Sequence, residues 1–177
     1  MNKLLTYLIL LCWALPMQGQ KSSDFFVRVL PDREQVFAGD SMLVSVVLYA
    51  TQPIAKAECS TDFEIKGGKC NVRKLSINRN ATAGRSLEGR NIYYTMVWNQ
   101  YVIAPQKPGT YYIPTQKFKA TLQQVVSMPD LFEQMMGARP KYRDINVQGK
   151  TNEFKFVVTE KPRRSTQEMI QNGGGVL

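Results

Sequence analysis

Hydrophobic and polar residues alternate with a period of two along most of the chain after residue 24. In residues 42–49, for example, Val44, Val46 and Leu48 would share one face of a strand. The alternating runs cover residues 25–30, 42–49, 63–65, 71–77, 91–104, 110–127, 141–147 and 152–159. This period is typical of β-strands, and many short strands separated by turns favour two packed antiparallel sheets. The pattern predicts an all-β protein, an immunoglobulin-like antiparallel β-sandwich with one short inserted helix.

Turn residues suggest how the strands connect. The pair Gly67-Gly68 predicts a hairpin between residues 63–65 and 71–77. Residues 78–90 are polar and are predicted to form a long loop. Pro114 lacks a backbone N–H, so it predicts a sheet edge or a bulge at that point.

The long run 91–104 divides into two predicted faces. The first face carries Ile92, Tyr94, Met96, Trp98 and Val102, and the second carries Tyr93, Thr95, Val97, Tyr101 and Ile103. In residues 42–49 the second face also carries apolar residues, Leu43, Val47 and Tyr49, which is typical of a central strand that is partly covered on its second side.

The inserted helix is predicted between Pro129 and Gly137, residues that suit the first turn and the end of a helix. An apolar stripe recurs there at helical spacing: Met128, Leu131, Phe132, Met135 and Met136. We favour a helix that caps the open end of the sandwich and buries the stripe, because an exposed stripe would be a costly apolar patch. In the alternative, the stripe is exposed and its five residues are candidates for binding a partner protein.

The first residues resemble an export signal. Lys3 is followed by a largely apolar run over residues 4–15, then by Pro16 and the small residue Gly19. We therefore predict a signal peptide at 1–20, the sandwich domain at 24–160, and a basic, glycine-rich tail or linker at 161–177. The predicted location is the periplasm or the periplasm-facing cell envelope.

Charge and cysteines fit an exported protein. The chain has 23 Lys plus Arg and 14 Asp plus Glu, which gives a formal net charge of +9. An exported protein rarely meets nucleic acid, so we expect no nucleic-acid partner. After signal removal Cys59 and Cys70 remain, and an even pair in an oxidising compartment predicts a disulfide.

The composition argues against several kinds of catalysis. The chain contains no histidine, which removes Ser–His and Cys–His pairs and the commonest zinc ligand. No glycine-rich phosphate loop is present, and the cysteines lack the spacing of a redox pair. We predict no enzyme activity, no catalytic residue, no bound metal and no cofactor.

Three segments together carry a family resemblance. They are Val36-Phe37-Ala38-Gly39-Asp40-Ser41, Asp62-Phe63-Glu64-Ile65-Lys66-Gly67-Gly68, and the run from Tyr101 through Pro105, Pro108-Gly109-Thr110 and Ile113-Pro114. In this order they resemble the N-terminal immunoglobulin-like domain of the BatD family, envelope proteins named for Bacteroides aerotolerance. The resemblance implies envelope partners, namely von Willebrand-type Bat proteins and a MoxR-class ATPase system. It gives no catalytic residues, and it implies membrane association only through partners or a C-terminal anchor missing from this chain.

The resulting functional prediction is a non-enzymatic protein-binding module of the periplasm or envelope. The alternative is a secreted carbohydrate-binding or adhesin-type sandwich, because outward-facing aromatic residues could stack on sugar rings. The aromatic residues concerned are Tyr93, Tyr94, Trp98, Tyr101, Tyr111 and Tyr112.

Overall fold

The computed structural model describes residues 24–162, most of which form antiparallel strands. The strands are β1 (Phe25–Pro31), β2 (Val36–Phe37), β3 (Met42–Ala50), β4 (Ile54–Cys59), β5 (Cys70–Leu75), β6 (Gly84–Glu88), β7 (Asn91–Pro105), β8 (Gly109–Ile113), β9 (Lys117–Ser127), β10 (Lys141–Lys150) and β11 (Phe154–Thr159). A 3-10 turn spans Arg79–Thr82, and the helix α1 spans Leu131–Met135. The predicted signal peptide lies outside the described residues, as does the predicted tail beyond its first two positions.

The strands form two layers. The first sheet has the order β1-β3-β7-β5, and β6 pairs with the first five residues of β7. In the second layer β9 lies between β10 and β4, and β11 lies between β2 and β8. Strands β8 and β9 run against β11 and β10 as one interrupted hairpin, and β11 pairs in parallel with β2. This is the immunoglobulin-like arrangement, so the predicted all-β sandwich is confirmed.

The interruption of the long hairpin falls at Pro114, where an edge or bulge is predicted. Strand β8 ends before Pro114, and β9 begins at Lys117. Across the gap, the backbone N–H of Gln116 donates to the Thr151 hydroxyl at 2.9 Å, and the Thr151 N–H donates to the Gln116 carbonyl at 3.0 Å. The two halves of the hairpin therefore stay joined where the regular ladder fails.

The core lies between the layers and follows the predicted alternation of β3. Val44, Val46 and Leu48 are fully buried, as are Phe118 and Leu122 on β9 of the opposite layer. Burying a large aliphatic or aromatic side chain contributes roughly 1.5–3 kcal/mol, so residues such as these supply most of the stability.

A bulge in β7 changes the predicted faces of that strand. Val46 faces Asn99 and Val47 faces Val97, so Trp98 is an extra residue opposite β3. An extra residue reverses the direction of all side chains beyond it. The prediction of two uninterrupted faces is therefore wrong.

Because of the bulge, Tyr101 and Ile103 join the main core, although they were predicted to share a face with Tyr93. Tyr93 packs instead in a small second cluster on the outer face of the first sheet, with Tyr49 and Phe26. The Phe26 and Tyr49 rings stack with centroids 4.8 Å apart. Strands β3 and β7 are thus covered on both faces, which confirms the prediction for residues 42–49.

The predicted hairpin around Gly67 is wrong. Residues 63–65 form no strand, and β5 pairs with β7 instead. The Phe63 ring stacks on the Tyr101 ring at a centroid distance of 3.7 Å, which holds this loop against the core. Gly67 has φ +108°, and a Cβ there would lie 2.2 Å from the Thr110 carbonyl oxygen. Only glycine fits this close approach without strain.

Candidate functional site

The outer end of the long hairpin extends beyond the sandwich. The pairing of β4 with β9 ends where Ile54 faces Leu122. Beyond it, residues 123–127 pair with residues 141–144, and within the described chain no third strand joins them. We call this two-stranded segment the distal ribbon, and its far end carries helix α1.

Helix α1 is short but firmly capped. The Asp130 carboxylate accepts a hydrogen bond from the Glu133 backbone N–H at 2.7 Å, and the Glu133 carboxylate accepts one from the Asp130 N–H at 3.0 Å. This reciprocal capping box satisfies two backbone donors that would otherwise be unpaired. Gly137 follows the helix with φ +90°, a conformation that favours glycine. The helix thus lies between Pro129 and Gly137 as predicted, although Pro129 precedes the Asp130 cap and does not stand in the first turn.

The apolar stripe of this helix faces solvent. Its exposed fractions are 70 % for Met128, 81 % for Leu131, 72 % for Phe132, 87 % for Met135 and 76 % for Met136. The favoured prediction of a buried cap is therefore wrong. The physical reason is that the distal ribbon carries the helix past the sandwich, where no described residue covers it.

A second hairpin projects from the same end. Residues 84–88, predicted as part of a polar loop, form strand β6, and Leu87 faces Ile92 of β7 near the turn. Both side chains are exposed. Residues 51–53 form the loop that connects the end of β3, in the first sheet, with the start of β4, in the second layer. Both hairpins extend past this loop, so they leave the sandwich at the same end.

The exposed apolar residues are therefore concentrated rather than scattered. Of the large hydrophobic side chains that are exposed in residues 24–162, all but Leu30, Val72 and Val157 belong to these two hairpins. We call this set the apolar apex; its members are Leu87, Ile92, Val125, Val126, Met128, Leu131, Phe132, Met135, Met136 and Tyr142. A concentration of this kind is characteristic of an interaction surface, whereas single exposed hydrophobics are ordinary.

Charged residues lie on both sides of the stripe along the chain. The two acids, Asp130 and Glu133, lie at the start of the helix. Three cations follow it: Arg139 lies in the connection to β10, and Lys141 and Arg143 lie on β10 beside the acidic Asp144. None of the three forms a salt bridge with a residue in the described range, and Arg143 donates to the Gln124 side chain at 2.6 Å.

The two cysteines do not form the predicted disulfide in this structure, where both are free thiols. Cys59 ends β4 in the second layer and donates to the Thr61 carbonyl at 3.1 Å, whereas Cys70 begins β5 in the first sheet. The chain between them crosses from one layer to the other, which places the thiols on different sheets. Partial burial raises the pKa of the Cys70 thiol above its usual value.

Of the six aromatic residues that suggested a sugar-binding surface, three are buried, and Tyr94, Trp98 and Tyr112 are half-buried. Tyr93, Tyr101 and Tyr111 are buried, and the Tyr111 hydroxyl donates to the Lys107 carbonyl at 2.9 Å. Burial also raises the pKa of Tyr101. The rings of Tyr93, Tyr101 and Tyr111 are engaged in packing and are not free to stack on a sugar.

No cluster of three or more His, Cys, Asp or Glu side chains suitable for a metal occurs among the described residues. The predictions of no enzyme activity, no metal and no cofactor stay predictions. Within residues 24–162 no helix is long and apolar enough to cross a membrane.

Comparison with protein-family models, curated proteins and solved structures found no match for this chain. The resemblance to the BatD family therefore remains a prediction from the sequence motifs. The candidate site stands on its geometry alone: a capped, apolar helix held clear of the domain by a two-stranded ribbon.

Proposed function

We propose that this chain is an exported, non-enzymatic recognition module of the bacterial cell envelope, which binds another protein through its apolar apex. The observation that carries the proposal is the exposure of the five stripe residues, of which Leu131, Phe132 and Met135 lie on a helix that is already formed and Met128 and Met136 flank it. Sequence alone predicts the stripe as either a cap or a binding surface, and its exposure favours the second.

The geometry suits protein recognition for three reasons. Leu131 and Met135 lie four residues apart on α1, and apolar anchors at this spacing share a helix face that can enter a groove on a partner. The capping box fixes the helix in advance, which reduces the entropy lost on binding. Methionine side chains are flexible and polarizable, so they adapt to a partner surface.

The envelope location and the partner class rest on the sequence. The signal-like segment at 1–20 supports export, and the BatD-like motifs suggest von Willebrand-type proteins and a MoxR-class ATPase system as partners in one assembly. Under this proposal the sandwich is a rigid scaffold, and recognition takes place at the apex.

Site-specific photo-crosslinking in intact cells tests the proposal. A photoreactive residue at Leu131 should give a discrete adduct with one envelope protein, and the same residue at exposed Val157, near the opposite end of the sandwich, should not. The double substitution Phe132→Ser and Met136→Ser should abolish the adduct. Equal crosslinking from both positions, or none from Leu131, would contradict the proposal.

A glycan array tests the alternative function, which is carbohydrate binding. Retention of the purified chain on defined sugars, unaffected by Phe132→Ser and Met136→Ser, would favour a carbohydrate-binding module. Burial of Tyr93, Tyr101 and Tyr111 makes that outcome the less expected one.

A further inference from the structure

We propose that the free edge of strand β5 binds an acidic, extended segment of another polypeptide, which adds to the first sheet as one more strand. This edge is separate from the apolar apex and gives the module a second binding surface. Two independent observations support it. The open backbone groups of β5 indicate a polypeptide as the ligand, and the charges around them indicate its composition.

The backbone of β5 is open on one side. Strand β5 is the last strand of the first sheet, and in the described part of the chain it pairs with β7 alone. One rung before β5 begins, the Gln106 N–H donates to the Lys69 carbonyl at 2.9 Å. Because hydrogen-bonded and non-hydrogen-bonded rungs alternate in an antiparallel pair, Val72 and Lys74 direct their N–H and C=O groups away from β7. No described strand meets these groups, so an incoming strand can form a ladder with them.

The charge along this edge is positive. Residues 65–87, which include β5 and most of β6, contain no acid and six cations, namely Lys66, Lys69, Arg73, Lys74, Arg79 and Arg85. The acid before this stretch, Glu64, pairs with Lys66 at 3.3 Å, and the acid after it, Glu88, pairs with Arg28 of β1 at 2.6 Å. Arg73 and Lys74, on β5 itself, form no salt bridge with a described residue, nor does Asp62 of the preceding loop. Carboxylates on an incoming strand therefore meet cations that are not already paired.

The edge of the second layer provides a contrast. Strand β4 is also paired on one side only, but its Lys56 is paired with Glu58 at 2.7 Å. Like charges that face each other across two strands are destabilising, so the cations of β5 disfavour pairing with the same edge of a second copy. A basic edge thus selects against a second copy and favours a strand of opposite charge.

The register of β5 indicates the composition of the bound segment. Val72 is 44 % exposed and pairs with Ile103, a core residue, so its side chain lies on the core side of the sheet edge. Residues that face each other on antiparallel strands interact directly. An aliphatic residue opposite Val72 would cover it, and the two residues before it in an antiparallel segment would lie opposite Arg73 and Lys74. The ligand class is therefore an extended segment in which two adjacent acids precede an aliphatic residue.

Fluorescence anisotropy with labelled peptides tests the charge requirement. A short peptide in which two glutamates precede a valine should bind the purified chain. A peptide with glutamine at both positions should bind about three- to tenfold more weakly, because two exposed ion pairs are lost, and the double variant Arg73→Gln and Lys74→Gln should weaken the acidic peptide by a similar factor. The control Lys150→Gln removes an exposed cation from β10 in the second layer and should leave the affinity unchanged.

Val72→Pro distinguishes strand addition from simple attraction between charges. Proline removes the Val72 N–H, which faces away from β7, so the β5–β7 ladder stays intact and the residue is of the kind tolerated on an edge strand. The variant should bind the acidic peptide at least about tenfold more weakly, because the ladder loses a donor and the peptide carbonyl opposite it is left unpaired. The control Val72→Thr keeps the N–H and a β-branched side chain, and its affinity should stay within about twofold. Circular dichroism checks that both variants fold.

A change in the peptide gives the same test without altering the protein. N-methylation of the peptide valine removes the N–H that would donate to the Val72 carbonyl, and it should abolish binding. When the unmodified peptide binds, the Val72 and Lys74 amides should exchange more slowly with solvent. The Arg73 amide, which already faces β7, should not change.

Three results would overturn the inference. The first is equal affinity for the N-methylated peptide or for the glutamine peptide. The second is peptide binding that persists in Val72→Pro and is displaced by inorganic polyphosphate, which would assign the edge to anions in general. The third is loss of peptide binding in the double variant Phe132→Ser and Met136→Ser, which would place the peptide at the apolar apex. Crosslinking from Leu131 tests the proposed function separately, so the two can fail independently.

Discussion

The long hairpin of the second layer has two regions with the same kind of side chains and opposite surroundings. Near its middle, Phe118 and Leu122 are each 1 % exposed, because the first sheet lies across them. Some ten residues further on, Leu131 and Phe132 are largely exposed. Hydrophobic character is therefore no guide to burial on this hairpin. What differs is whether another layer of the protein covers the segment.

The largest expected effect on stability comes from substituting one phenylalanine in each of the two regions. Phe118→Ala should lower the free energy of unfolding by about 3–5 kcal/mol, because it leaves a cavity in the core. Phe132→Ala should change it by less than about 0.5 kcal/mol. Urea unfolding of both variants, at a concentration where the chain is monomeric, measures the contrast. Similar losses in the two variants would mean that the apex belongs to the folded core.

Substitution of two glycines, one in the sandwich and one after α1, gives a second comparison of the two regions. Gly67→Ala should cost about 3 kcal/mol, because the new Cβ would collide with the Thr110 carbonyl in a backbone conformation that already disfavours alanine. Gly137→Ala meets no atom within 4 Å, so only the conformational cost of about 1 kcal/mol remains. Thermal unfolding of the two variants measures the difference. A larger loss for Gly137→Ala would contradict this ranking.

A smaller effect should be confined to the apex. Asp130→Ala removes the helix cap, which is worth about 1 kcal/mol, so amides 133–136 should exchange about fivefold faster with solvent. The free energy of global unfolding should stay unchanged, since the helix contributes no buried residue. Hydrogen exchange measured by mass spectrometry tests this, and Asp130→Asn, which retains a capping oxygen, is the control. Faster exchange across the sandwich strands would show that the cap has a wider role.

The smallest predicted effect concerns pH. Burial raises the pKa of Cys70, Tyr49 and Tyr101, so the folded chain retains protons that the unfolded chain releases. The stability from these groups is complete below their ordinary pKa values and is lost as pH rises towards the raised ones. Urea unfolding should therefore show falling stability above about pH 9. Cys70→Ser should reduce the early part of this fall, and an unchanged profile in that variant would contradict the assignment to Cys70.

Much of the fold is predictable from the sequence because the alternation of hydrophobic and polar residues marks most of its strands. The alternation of β3 correctly assigns Val44, Val46 and Leu48 to the core, since a strand beneath a second sheet needs one continuous apolar face. Strand β4 carries no such signal, because all six of its residues are at least partly exposed. The bulge at Trp98 depends on its pairing with β3, which local alternation does not report.

The candidate site is predictable in its residues but not in its exposure. The spacing of Met128 to Met136 identifies an apolar helical stripe, and Pro129 and Gly137 mark its limits. Whether a second layer covers the stripe depends on how far β9 and β10 extend beyond β4, a length set by pairing between distant segments. The predicted Cys59–Cys70 bridge is absent from this structure, where both thiols are free, and spacing along the chain did not report that the two cysteines lie on different sheets.

The distal ribbon also acts as a spacer whose length is adjustable in steps. Its five residues on β9 hold α1 about 16 Å beyond the last rung with β4, at about 3.3 Å per residue. Removing Gln123 and Gln124 together with Arg143 and Asp144 would draw the helix inward and keep its orientation, because two residues restore the same face. Removing only Gln124 and Arg143 would turn the helix to the opposite side of the molecule. The distance of α1 from the sandwich and the side of the molecule on which it lies can therefore be changed without altering the core.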